Sequence, residues 1–79
     1  MQKSKVIPLT ELEVGKTAVI HRIETMDNKV LNKLMAFGVL PGLEVELLQK
    51  SPSNVIKIGN TTIASDDNIA KSIIVTVTY

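Results

Sequence analysis

Between Asn28 and Phe37, apolar side chains fall at Val30, Leu31, Leu34, Met35 and Phe37, the i, i+3, i+4, i+7 spacing of one helix face. The spacing predicts a helix of about two turns, too short to be stable alone, so its apolar stripe must dock on something. Asp27 or Asn28 can cap its start by accepting from the unpaired N–H groups of the first turn. Gly38, just past the stripe, can take the left-handed conformation that closes a helix. Leu40-Pro41-Gly42-Leu43 then reads as a type II turn, with proline presetting φ at the second position and glycine supplying positive φ at the third. A strand is expected at once, because Leu43, Val45 and Leu47 alternate with Glu44 and Glu46 to leave one wet face.

The rest of the chain reads mostly as strand. Pro8 to Gly15 carries Leu9 and Leu12 three apart on a single helical turn ended by Gly15, a device suited to closing the end of a small barrel. Thr17 to Ile23 is β-branched and forms the first predicted strand, with Thr17, Val19, His21 and Ile23 on one face and Ala18, Ile20 and Arg22 on the other. Gln49 to Asn54 has turn chemistry. Val55–Ile58 and Thr61–Ala64, joined by Gly59-Asn60, predict a hairpin with a two-residue connection. Ser65 to Lys71 resembles a capped helical turn carrying Ile69 and Ala70, and Ser72 to Thr78 closes the chain as a strand. The fold class that follows is all-β: about five strands, one short helix and one or two helical turns, closed into a small SH3-like barrel that protects its sheet edges. A five-stranded OB-type barrel is the second architecture.

Composition narrows the function more than the fold. The 79 residues allow one domain, residues 1–79, with no internal repeat and no low-complexity tract. The absence of cysteine excludes a disulfide framework and thiolate metal sites. The N-terminal residues through Pro8 carry lysines but no apolar run behind them, and no stretch reaches the length of a membrane span. A cytoplasmic protein without direct membrane insertion is expected. Nine basic against eight acidic residues give a net charge of +1, which lacks the basic surplus of a nucleic-acid binder. The only aromatic residues are Phe37 and Tyr79, too few for the lined groove of a proline-rich peptide site or for base stacking.

Little of the chain suggests catalysis. One histidine, no cysteine, serines confined to loops and no phosphate-binding glycine loop leave no nucleophile and base pair. The expectation is a protein that is not an enzyme and carries no cofactor. If a divalent iron or zinc ion binds weakly, His21 and Asp27 are the residues that nominate themselves, since imidazole suits both metals. Glu24, three residues beyond His21, falls on the opposite face of an extended strand. Asp66 and Asp67 read as a helix-capping pair, because a hard cation needs several convergent oxygens. What remains is a surface for another protein. Met35, Val39, Leu40 and Leu43 cluster about the helix end and the Pro-Gly turn, with Lys29 and Lys33 at the rim, while Phe37 is assigned to the core.

Several of these pieces together resemble a known family. Leu9-x-x-Leu12-x-x-Gly15, then Leu31-x-Lys33-Leu34 read through Phe37-Gly38-Val39-x-Pro41-Gly42-x-x-Val45, then Ile63-Ala64 and Ala70-x-x-Ile73-x-Val75, are similar to the FeoA family of ferrous iron transport accessory proteins. A similar module closes some iron-dependent repressors, but no DNA-binding helices precede it here. The resemblance implies an SH3-like barrel acting in the cytosol beside FeoB, a membrane permease with a cytosolic GTP-binding domain, as a monomer or weak dimer. Two positions depart from it: Ser65-Asp66 stand where relatives often carry a basic residue, and the segment from Ser51 to Asn54 is short. The rival from another class is a direct iron or zinc sensor using His21 and nearby carboxylates.

Overall fold

Six strands among the described residues, not five, form one antiparallel sheet. The computed structural model describes residues 3–78; Tyr79, counted above among the aromatics, lies outside them, as do the first two residues of the N-terminal reading. The strands are β1 (Ser4–Pro8), β2 (Thr17–Ile23), β3 (Glu44–Gln49), β4 (Asn54–Ile58), β5 (Thr61–Ser65) and β6 (Ile73–Thr78), in the order β1-β6-β2-β3-β4-β5. Helix α1 (Asn28–Ala36) lies between β2 and β3 in the chain, and the single turn α2 (Asp67–Ala70) between β5 and β6.

The strand that sequence patterning missed is β1. It pairs only with β6, from Ser4 opposite Thr78 to Pro8 opposite Ile74, and its first three residues are exposed. An edge strand of this kind needs no buried face, so it leaves no alternation to read. The predicted helical turn after Pro8 is a 3-10 turn over Leu9–Glu11, closed by the Leu12 N–H donating to the Leu9 carbonyl at 3.0 Å. Leu9 and Leu12 are both buried and close one end of the core, as their spacing predicts.

Two irregularities bend the sheet around that core. Between the pairs Ile20–Val75 and Arg22–Ile74, β2 advances two residues while β6 advances one, which makes His21 the extra residue of a bulge. The bulge changes the expected phase: His21 and Arg22 are both exposed, and Ile23 turns back toward the interior. β3 carries the same device at Leu48, between Leu47–Ile56 and Gln49–Val55, and Leu48 is exposed. Inward residues from every layer then meet: Leu9, Ile20, Leu34, Val39, Val45, Leu47, Ile56, Ile73 and Val75 form one aliphatic cluster.

The hairpin is as read, with Ile58 and Thr61 paired across Gly59-Asn60 and Gly59 at a φ of 58°. Asn54, assigned to the turn, is instead the buried first residue of β4. Ser72, assigned to the last strand, ends the α2 turn, its hydroxyl donating to the Ile69 carbonyl at 2.6 Å.

Candidate functional site

The surface nominated by sequence is built by the two ends of α1 and the turn after it. Asp27 caps the helix, its Oδ1 accepting from the Lys29 N–H at 2.9 Å, while its own N–H donates to Thr25 Oγ1 at 3.1 Å. At the other end Gly38 has a φ of 90°. The Gly38 N–H donates to the Met35 carbonyl at 3.0 Å and the Val39 N–H to the Leu34 carbonyl at 2.9 Å, the double closure of a Schellman motif. That closure throws Val39 inward, where it is fully buried together with Leu34. Val39 is therefore a plug of the core and leaves the predicted contact group.

The turn follows directly. The Leu43 N–H donates to the Leu40 carbonyl at 3.2 Å across Pro41-Gly42, and Gly42 supplies a φ of 94°. It is tied to the sheet by the Gly42 N–H donating to the Ile20 carbonyl at 2.7 Å and the Ile20 N–H donating to the Leu43 carbonyl at 2.8 Å. Leu43 thus ends the turn one residue before β3 begins, which takes it out of the inward alternation of Val45 and Leu47. Met35, Leu40 and Leu43 remain exposed by 47%, 38% and 41%. Phe37, assigned to the core by its place in the stripe, is 45% exposed. It sits at the C-cap, past the last helical residue, so the helical spacing no longer sets where it points. Phe37 and Leu43 line one open depression with Gly38 and Glu44. Lys29 and Lys33 are exposed on α1, which carries no acidic residue.

His21 stands exposed on the β2 bulge, and Asp27 spends one oxygen on the helix cap. The Glu24 carboxylate accepts from Arg22 at 3.0 Å on the surface. Among the described residues no three His, Asp or Glu side chains gather to hold an ion. Asp66 caps α2 as expected, accepting from the Ile69 N–H at 2.8 Å. Asp67 departs from the capping pair: its Oδ1 accepts from Asn54 Nδ2 at 2.5 Å, which satisfies the buried Asn54 amide.

Comparison with known proteins agrees with this architecture. No curated protein matches the chain in sequence. Iron(II) transport protein A from Clostridium thermocellum, a solution structure, is 35% identical with a TM-score of 0.81, the match covering 90% of this chain and 45% of that one. Stenotrophomonas maltophilia FeoA, a prokaryotic SH3 domain protein complexed with zinc, is 25% identical with a TM-score of 0.76, covering 85% and 86%. T. acidophilum IdeR is 26% identical with a TM-score of 0.84, covering 91% of this chain but only 34% of its own. The barrel is accordingly SH3-like, and the OB-type alternative falls away. The FeoA domain matches residues 7–77, nearly the whole chain, and the protein belongs to the FeoA family.

Proposed function

We propose that this protein is a non-enzymatic accessory of ferrous iron uptake that works by contact with a FeoB-like permease and its cytosolic GTP-binding domain. Family membership supports the role in ferrous iron transport. The observation that carries the contact is the exposed apolar group Met35, Phe37, Leu40 and Leu43 beside Lys29 and Lys33. Val6, Val14, Val19, Met26 and Leu48 are exposed elsewhere, but here four large apolar side chains fall within the nine residues from Met35 to Leu43, at one helix end and its turn. No helix among the described residues is long and apolar enough to cross a membrane, which suits a partner that presents a domain outside the bilayer.

The mechanism is a shift of populations. A barrel that binds one nucleotide state of the GTP-binding domain tenfold more tightly than the other favours that state by about 1.4 kcal/mol, and one that binds both equally shifts nothing. The test is an amide NMR titration of the labelled protein with the GTP-binding domain of its own permease, with and without nucleotide. Saturable shifts confined to residues 33–43, and dependent on nucleotide, are the expected result. Unmoved amides at high partner concentration would remove that domain as the target.

A further inference from the structure

The two edges of the sheet are unlike. β1 contains Lys5 and ends in Pro8, a charge and a missing donor that discourage another strand from pairing. β5 reads Thr-Thr-Ile-Ala-Ser, with neither charge nor proline, and among the described residues no strand pairs with its outer side. The hairpin fixes what that side offers. Ile58 and Thr61 flank the two-residue connection and form its hydrogen-bonded pair, so by alternation Ile56–Ile63 and Asn54–Ser65 exchange bonds too. The N–H and C=O groups of Thr62 and Ala64 therefore face away from β4, toward the open edge.

That edge borders a groove of about 220 Å³ lined by Val30 and Leu34 of α1, Phe37 at its C-cap, Ile63 and Ser65 of β5, and Ile69. It has room for an apolar side chain. Ser65 is only 8% exposed, and its hydroxyl has no hydrogen-bond partner, an unusual state for a buried polar group. Rotation about one bond can present that hydroxyl to an occupant. Lys33 also lines the groove, Lys29 lies one turn away, and neither has an ion-pair partner among the described residues.

We propose that the groove between α1 and β5 takes an extended segment of a partner protein, with apolar and acidic side chains together on its groove-facing side, which adds as a strand alongside β5. Strand addition supplies the backbone partners that Thr62 and Ala64 lack, and because every second side chain of the added strand points to the α1 side, apolar and acidic residues two apart there fill the groove and meet Lys33. A second copy suits the site less well. Its β1 edge would bring Lys5 toward Lys33 and Lys29, and β5 against β5 would set both pairs of lysines together. Phe37, Lys29 and Lys33 are shared with the surface of the permease reading, but the inference does not rest on that reading, since it is carried by Thr62, Ala64 and Ser65, and Leu40 and Leu43 do not line the groove.

The experiment is an amide NMR titration of the full chain with an end-capped hexapeptide that has valine, glutamate and valine at its first, third and fifth positions and threonine at the others. Its controls are the same peptide with lysine for glutamate and the same peptide methylated on every backbone nitrogen. The expected result is saturable shifts at Thr62 and Ala64, extending to Lys33 and Phe37. The lysine peptide should bind at least about 5-fold more weakly, from lost charge complementarity, and the methylated peptide at least about 10-fold more weakly, from lost backbone hydrogen bonds. Lys33→Glu, at an exposed position, should weaken the glutamate peptide without unfolding the barrel. Ser65→Ala should fold at least as stably and lower the affinity by about 3-fold, the worth of one hydrogen bond. Equal affinity for the methylated peptide, shifts confined to Leu40 and Leu43, or no saturation at millimolar peptide would each overturn the proposal. So would concentration-dependent self-association, without peptide, that perturbs Thr62 and Ala64.

Discussion

Val39 and Leu40 are neighbours of similar chemistry with opposite placements, one sealed in the core and one on the surface. Val39→Ala should therefore cost about 1.5–3 kcal/mol of stability, the worth of a fully buried valine. Leu40→Ala should cost less than about 1 kcal/mol and weaken partner binding instead; urea melts of both variants, beside the permease titration, separate the two roles. Asn54 gives a second residue-scale prediction. Asn54→Ala removes a buried amide and its bond to Asp67, and urea denaturation should show a loss of about 1–3 kcal/mol. Neither the exposure of Phe37 nor the burial of Asn54 was legible beforehand. Periodicity places a side chain only while the helix lasts, and Phe37 stands just beyond its end; Asn54 is a turn-forming residue held inside by a partner thirteen positions away. His21, Asp27 and the acidic pair were legible as residue types, but only the folded chain could show that no three ligating side chains gather among the described residues.

Where local chemistry dictates an element, the element was readable. The cap at Asp27, the closure at Gly38, the Pro41-Gly42 turn and the Gly59-Asn60 hairpin all depend on residues a few positions apart, and all are found as predicted. The turn allows a clean test. No atom lies within 4 Å of where a side chain on Gly42 would sit, so Gly42→Ala meets only the strain of its φ of 94°. A loss of about 1 kcal/mol or more in thermal or urea unfolding is expected, with the fold retained. β1 and the two bulges were not readable, because each is defined by its register against another strand, distant in the chain for β1 and the His21 bulge and adjacent for the Leu48 bulge, and none alters the local pattern of residue types. Leu43 is exposed, as its place in the contact group requires, but it is not part of the strand: the alternation into Val45 runs on unbroken in sequence, while the turn's hydrogen bonds end just before β3.

The molecule as a whole was legible as a small barrel but not in its strand order. β6, last in the chain, lies between β1 and β2, so the ends of the described chain pair with each other from Ser4 and Thr78 inward. No local signal encodes that neighbourhood. Charge also acts at this scale. The chain is nearly neutral, with a net charge of +1, yet α1 offers two lysines and no acid, so attraction to an acidic partner is short-ranged. Raising salt from about 50 to 300 mM should slow association several-fold and change dissociation little, as stopped-flow or surface measurements would show. The bulge at His21 carries a last consequence for the curl of the sheet. Deleting His21 leaves the order exposed, buried, exposed, buried along β2 in frame, with Arg22 outward and Ile23 inward. No core contact is removed, yet the shortened strand runs straighter, and a drop in unfolding midpoint would mean that this barrel owes part of its stability to a residue whose side chain is never inside it.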